Sequence, residues 1–125
     1  DIPDMSEQVH GFHIENDADT LLKDLSTGNR KKAFLITAFA LQPVLLFLDE
    51  PVNGLDFQST EYLYQQIARY KEHGTVLFSS HVLESITLTS DRVFVLENGS
   101  IRQTFERGQI DAANIREALR YEHDI

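Results

Sequence analysis

Val44-Leu45-Leu46-Phe47-Leu48-Asp49-Glu50-Pro51 is the stretch that decides the reading of this chain. Its five apolar residues follow Pro43 and stop at two acids and a proline, too short a run for a helix. Such a run reads as a strand buried on both faces, which is the habit of parallel sheets. The two acids then fall at the carboxyl end of that strand, where open α/β sheets place their binding crevice. Successive side chains on an extended chain point to opposite sides, so Asp49 and Glu50 need not do the same job. One can hold a hard cation through oxygen while the other orients or deprotonates a water. A strand ending in solvent would also carry two acids, so the pair alone does not decide the chemistry.

Working outward, Ser26 or Thr27 is placed to cap a helix running to about Leu41, with Phe34, Ala38 and Leu41 on one face. Its first turn holds Arg30, Lys31 and Lys32, the wrong sign for a helix N-terminus. A helix start that collects positive charge is either solvated or facing an anion. Before it, Leu21, Leu22 and Leu25 sit at helix spacing between Asp17 and Leu25, and residues 1–16 carry little pattern. After the strand comes the loop Val52-Asn53-Gly54-Leu55-Asp56. A helix from about Phe57 to Glu72 follows, with Leu63, Ile67 and Tyr70 on one side. Thr75 to Ser80 reads as a second buried strand, His81 to Thr89 as a short helix, and Arg92 to Glu97 as a third strand. Asn98-Gly99 predicts a tight hairpin into Ser100 to Phe105, and Asp111 is placed to cap a last helix to about Arg120. The order α-β-α-β-α-β-β-α is that of an α/β chain with a parallel sheet and an antiparallel hairpin.

Composition narrows the function classes. The chain has 125 residues, 20 acidic and 11 basic, a net charge of −9, and no cysteine. That excludes a disulfide framework, a thiol nucleophile and a thiolate zinc site. The acidic balance argues against nucleic-acid backbone binding, which needs clustered lysine and arginine. No apolar run approaches the ~20 residues of a membrane span, so a globular chain without direct membrane insertion is expected. His10, His13, His73 and His123 show no ligand spacing with carboxylates. The chain opens on Asp1 rather than methionine, and a processed or truncated piece is expected.

Four features stand in a fixed order: Leu25-Ser26-Thr27-Gly28-Asn29, Val44 through Pro51, Gly54-Leu55-Asp56, and Ser80-His81. Together they resemble the second half of the ATP-binding domain of ABC transporters: its signature motif, Walker B strand, D-loop and switch histidine. Val95-Leu96-Glu97-Asn98-Gly99-Ser100-Ile101 is similar to the strand-turn-strand that follows in transporter ATPases. The resemblance covers about Leu25 to Phe105. It implies a partial P-loop NTPase (RecA-like) core of parallel strands, helices and a C-terminal antiparallel hairpin. Residues 1–24 would be a remnant of the helical subdomain, 25–108 the C-terminal half of the core, and 109–125 a C-terminal helix.

The resemblance also implies roles. Asp49 would help hold Mg²⁺, Glu50 would polarise the attacking water, and His81 would contact the γ-phosphate. Asp56 would lie at the interface with a second nucleotide-binding domain. Ser26, Thr27 and Gly28 would cap the γ-phosphate of an ATP bound mainly by that second domain. The usual signature is Leu-Ser-Gly-Gly-Gln, and here Thr27 and Asn29 replace its third and fifth residues. Read from the residues alone, Ser26, Thr27 and Asp56 could be ordinary helix caps, and His81 a capping or core histidine.

No Gly-Lys pair occurs anywhere, so the phosphate-binding loop is missing, and the 24 residues before Leu25 are too few to hold it. The expected function is therefore that of an ATP-binding and ATP-hydrolysing subunit of an ABC transporter, not active as this chain alone. It would sit at the cytoplasmic face of the membrane through a membrane-spanning partner. A catalytically inactive ABC-like interaction domain and a soluble ABC-family ATPase are the alternatives. Without the phosphate-loop strand two strands would lose a neighbour, which is expected to favour self-association or marginal folding.

Overall fold

The computed structural model describes residues 4–17, 19 and 24–123. Its elements are α1 (Ser6–Gly11), a 3₁₀ turn (Glu15–Asp17), α2 (Thr27–Leu41), β1 (Leu45–Asp49), α3 (Phe57–Tyr70) and β2 (Thr75–Ser79). They continue with α4 (Leu83–Thr89), β3 (Arg92–Glu97), β4 (Ser100–Glu106) and α5 (Ala112–His123). The chain divides into two compact units, Asp1–Ser80 and His81–Ile125.

In the first unit β1 and β2 pair in parallel, with Leu45 opposite Thr75 and Asp49 opposite Ser79. A parallel pair needs a crossover, and α3 supplies it. The core joins Leu46 and Leu48 of β1 to Leu35, Ile36 and Phe39 of α2, and to Leu63, Ile67 and Tyr70 of α3. Phe12 and Ile14, from the segment that showed little pattern, complete it. Phe12 is fully enclosed and packs edge-on against Tyr62 at 4.8 Å between ring centroids.

Two expectations need correcting here. The strand is covered on one face only, because Leu45 is 57 % and Phe47 67 % exposed while Leu46 and Leu48 are buried. On α2 the inward face is Lys32, Leu35, Ile36 and Phe39, and Phe34 and Leu41 point out. That helix is apolar almost all round, so its spacing admits more than one face. The helical run expected at Asp17 to Leu25 lies largely outside the described residues.

In the second unit β3 and β4 form the hairpin, with Asn98 (φ 50°) and Gly99 (φ 78°) at the turn. Positive φ at both central residues is what a two-residue hairpin twist demands, and Asn-Gly tolerates it. Among the described residues β3 pairs with β4 alone. Val93, Val95 and Phe105 pack with Ile115 and Ala118 of α5, and Asp111 caps that helix by accepting from the Asn114 N–H at 2.7 Å. Helix α4 starts at Leu83 rather than at His81.

Candidate functional site

Six of the seven candidate residues fall in the first unit, on the start of α2 and on the turn that leaves β1. Ser26 is the N-cap of α2, its side chain accepting from the Asn29 N–H at 3.1 Å. The Asn29 side chain in turn donates to Asp17 Oδ2 at 3.0 Å. Thr27 is exposed at the first helical position. Gly28 lies against the loop that follows β1: a Cβ at Gly28 would sit 3.0 Å from the Gly54 carbonyl oxygen, so a larger residue would push the two apart. Gly54 itself has φ +83°, a conformation that favours glycine.

Asp49 ends β1 on the exposed face and accepts a 2.5 Å hydrogen bond from the Ser79 hydroxyl. That hydroxyl also accepts from the Glu50 N–H at 2.9 Å, and the same N–H reaches the Ser79 carbonyl at 3.2 Å. One serine therefore orients both acids, because the parallel register sets it directly opposite Asp49. Glu50 adopts φ +48°, unusual for a residue with a side chain. The half-buried Glu50 and the exposed Asp49 thus leave the strand in different surroundings.

The three cations at the start of α2 meet groups of the chain itself. Lys31 Nζ donates to the Glu50 carbonyl at 2.5 Å and to the Asn53 carbonyl at 2.8 Å. Burial pushes the Lys31 ammonium below its usual range, opposed by the nearby Glu50 and Asp49 carboxylates. Lys32, buried to 7 % side-chain exposure, pairs with Asp56 at 2.8 Å. Arg30 reaches the Leu25 carbonyl at 3.5 Å. Asp56 is also the N-cap of α3, accepting from the Ser59 N–H at 2.8 Å. Its carboxyl lies well below the usual carboxylate range, first because Lys32 donates to it and second because the Ser59 N–H does.

His81 is the first residue of the second unit, exposed and just ahead of α4. Reading the sequence by local signals found the caps at Ser26 and Asp56 and gave Ser79, Lys31 and Lys32 no partners within the chain. The signal for the last two was the wrong-signed helix start, whose partners lie 19 to 24 residues further on.

The donors gathered here are carboxylate, hydroxyl and carbonyl oxygens, the set that suits a hard cation. Among the described residues no three His, Cys, Asp or Glu side chains form a metal cage. Asp49, with its exposed carboxylate, is the type of single oxygen ligand Mg²⁺ accepts, since that ion takes one or two carboxylates and completes its shell with water and substrate phosphates. Among the described residues no helix is long and apolar enough to cross a membrane.

Residues 1–86 match the family model described as "AAA domain, putative AbiEii toxin, Type IV TA system". The chain is 38 % identical over 112 residues to the "Putative ABC transporter ATP-binding protein AlbC" of Bacillus subtilis (strain 168), covering 85 % of this chain and 47 % of that protein. It is 35 % identical over 98 residues to the energy-coupling factor transporter ATP-binding protein EcfA2 of Clostridium perfringens (strain 13 / Type A). That match covers 77 % of this chain and 34 % of the relative. A solved ATP-binding subunit of an ABC transporter superposes with a TM-score of 0.77 at 24 % identity, over 92 % of this chain and 46 % of that one. A dimeric ATP-binding cassette in a post-hydrolysis state, bound to ADP and Pi, superposes with a TM-score of 0.72 at 20 % identity, over 81 % and 44 %. The chain thus spans about half the length, or less, of the proteins it matches.

Proposed function

The chain belongs to the AAA-domain family whose model it matches, with ABC transporter ATP-binding proteins as its curated relatives, and from that premise we propose that it is the hydrolytic half of a transporter ATPase cassette. The observation that carries this reading is the turn after β1. It presents Asp49 and Glu50 side by side, bound to Ser79 on one side and to the start of α2 on the other. Residues 25–108 are the C-terminal half of the core in this reading, residues 1–24 belong to its helical subdomain, and residues 109–125 form an added helix.

Phosphoryl transfer asks for positioning and charge neutralisation rather than covalent chemistry. Asp49, its carboxylate oriented by Ser79, would hold Mg²⁺ through oxygen. The ion would supply neutralisation of charge on the ATP phosphates. Glu50 accepts hydrogen bonding from the attacking water and draws off its proton as attack proceeds. His81 contacts the γ-phosphate. Ser26, Thr27 and Gly28 offer the N-terminus of α2, an end where helix N–H groups lack intrahelical acceptors, to the γ-phosphate of an ATP held mainly by a second cassette. Asp56 lies at the interface with that cassette. A separate membrane-spanning subunit holds the pair at the cytoplasmic face, and ATP binding and hydrolysis drive transport.

The test is Mg²⁺-ATP binding by isothermal titration, with and without a separately made segment carrying a phosphate loop. Binding only after the segment is added supports a nucleotide site shared between two halves. Tight binding by this chain alone places the phosphate grip elsewhere and overturns the reading.

A further inference from the structure

We infer that Lys31 is a positioning residue for Glu50, its ammonium holding the turn of residues 50–53 in the conformation that aims the Glu50 carboxylate. The inference rests on the proposed role of Glu50 and goes beyond it in naming what fixes that side chain. Glu50 sits at φ +48°, a region that a residue with a Cβ enters only when its surroundings impose it. Its N–H is tied to Ser79 at the hydroxyl and the carbonyl. Its carbonyl is tied twice more, to the Asn53 N–H at 3.2 Å and to Lys31 Nζ at 2.5 Å. Lys31 also takes the Asn53 carbonyl at 2.8 Å, so one ammonium bridges both ends of the turn.

The residue type suits the task. An ammonium has three donors around a compact head, and two of them are used on the two carbonyls. Its stem starts in the second turn of α2, whose position is set by the Ser26 cap. If φ at Glu50 relaxed to a negative value, its Cβ would swing to another direction and carry the carboxylate with it. An error of about 1 Å in a reacting group can cost on the order of 10²-fold in rate. Lys31 reaches carbonyl oxygens and not the reacting atoms, so it moves no proton in the reaction.

Lys31→Met and Lys31→Arg in the assembled, ATP-hydrolysing cassette test this, with Lys31→Gln read in the same way as Lys31→Met should the latter not fold. Lys31→Met is expected to lower kcat by about 10²-fold and to leave KM for Mg²⁺-ATP near its starting value. In the same variant the amide protons of Glu50 and Asn53 should exchange faster, and Lys31→Arg should recover most of both effects. Unchanged kcat, or unchanged exchange at those two amides, overturns the proposal. Glu50→Gln serves as the reference: if it turns over at the normal rate, Glu50 itself is misassigned and the proposal falls with it. A failure confined to Lys31 leaves Glu50→Gln inactive, so the two failures are told apart.

Discussion

Asp56 carries two loads, and their costs separate by substitution. It caps α3 and neutralises Lys32, whose side chain is 7 % exposed while that of Asp56 is 56 % exposed. Asp56→Ala removes the cap and leaves an ammonium buried without its carboxylate. The expected loss is about 2 kcal/mol, below the roughly 3–5 kcal/mol of a fully buried pair because one partner is well solvated. Lys32→Met removes the charge from the buried side and leaves Asp56 in water with its cap intact, so its loss should be under about 1 kcal/mol. Urea midpoints at constant slope measure both, and equal losses would refute the asymmetry. The carboxyl of Asp56 is depressed in the folded state, so its contribution is complete above the unfolded carboxylate value near ~3.9 and is lost as pH falls below it. The stability difference between the parent chain and Asp56→Ala should therefore be flat near neutrality and shrink in acid. At the turn after β1, the role proposed for Glu50 predicts that Glu50→Gln in the assembled cassette slows turnover by about 10²–10⁴, the range for a lost general base, as read by phosphate release.

The hairpin and the caps were legible in the sequence because their causes are local. Asn98-Gly99 needs no distant partner to adopt φ 50° and 78°. Replacing Gly99 with Ala places a Cβ in the left-handed region with open space around it, so the cost is conformational only, about 1 kcal/mol. A denaturation midpoint unchanged in Gly99→Ala would contradict that. Ser26, Asp56 and Asp111 bond to N–H groups three residues on, which also makes them readable. The face of α2 was not readable, since Ala33, Phe34, Leu35, Ile36, Ala38, Phe39, Ala40 and Leu41 leave no polar stripe to mark it. Nor were the partners of Lys31, Lys32 and Ser79, because they are brought near only by the crossover through α3 and the β1–β2 register. Phe12 hides for a similar reason: a lone aromatic in a polar stretch shows no period, yet it is fully enclosed against Tyr62. Phe12→Ala should cost about 3–5 kcal/mol, the range for emptying a buried aromatic site, and a calorimetric scan with an unshifted transition in the first unit would refute it.

At the scale of the molecule, the five-residue apolar run that decided the fold also exposes a limit of pattern reading. A continuous run says that both faces of a strand are apolar, and it cannot say what covers them. In the first unit the helices cover Leu46 and Leu48, while Leu45, Phe47 and, on β2, Leu77 remain 57 %, 67 % and 40 % exposed. Each sheet among the described residues has two strands, so its strands carry unpaired edges as well. Contiguous apolar surface with open strand edges favours association between copies, against which the net charge of −9 works by repulsion. Salt screens that repulsion and leaves apolar contact in place. Sedimentation of the isolated chain is therefore expected to show concentration-dependent association that strengthens as salt is raised. Phe47→Lys puts a charge in the middle of the exposed face without touching the buried side of β1. It should weaken association while leaving the thermal transition of the monomer nearly unchanged. A parent chain that stays monomeric at all concentrations, or a Phe47→Lys chain that associates as strongly as the parent, would show that this face is not what brings copies together.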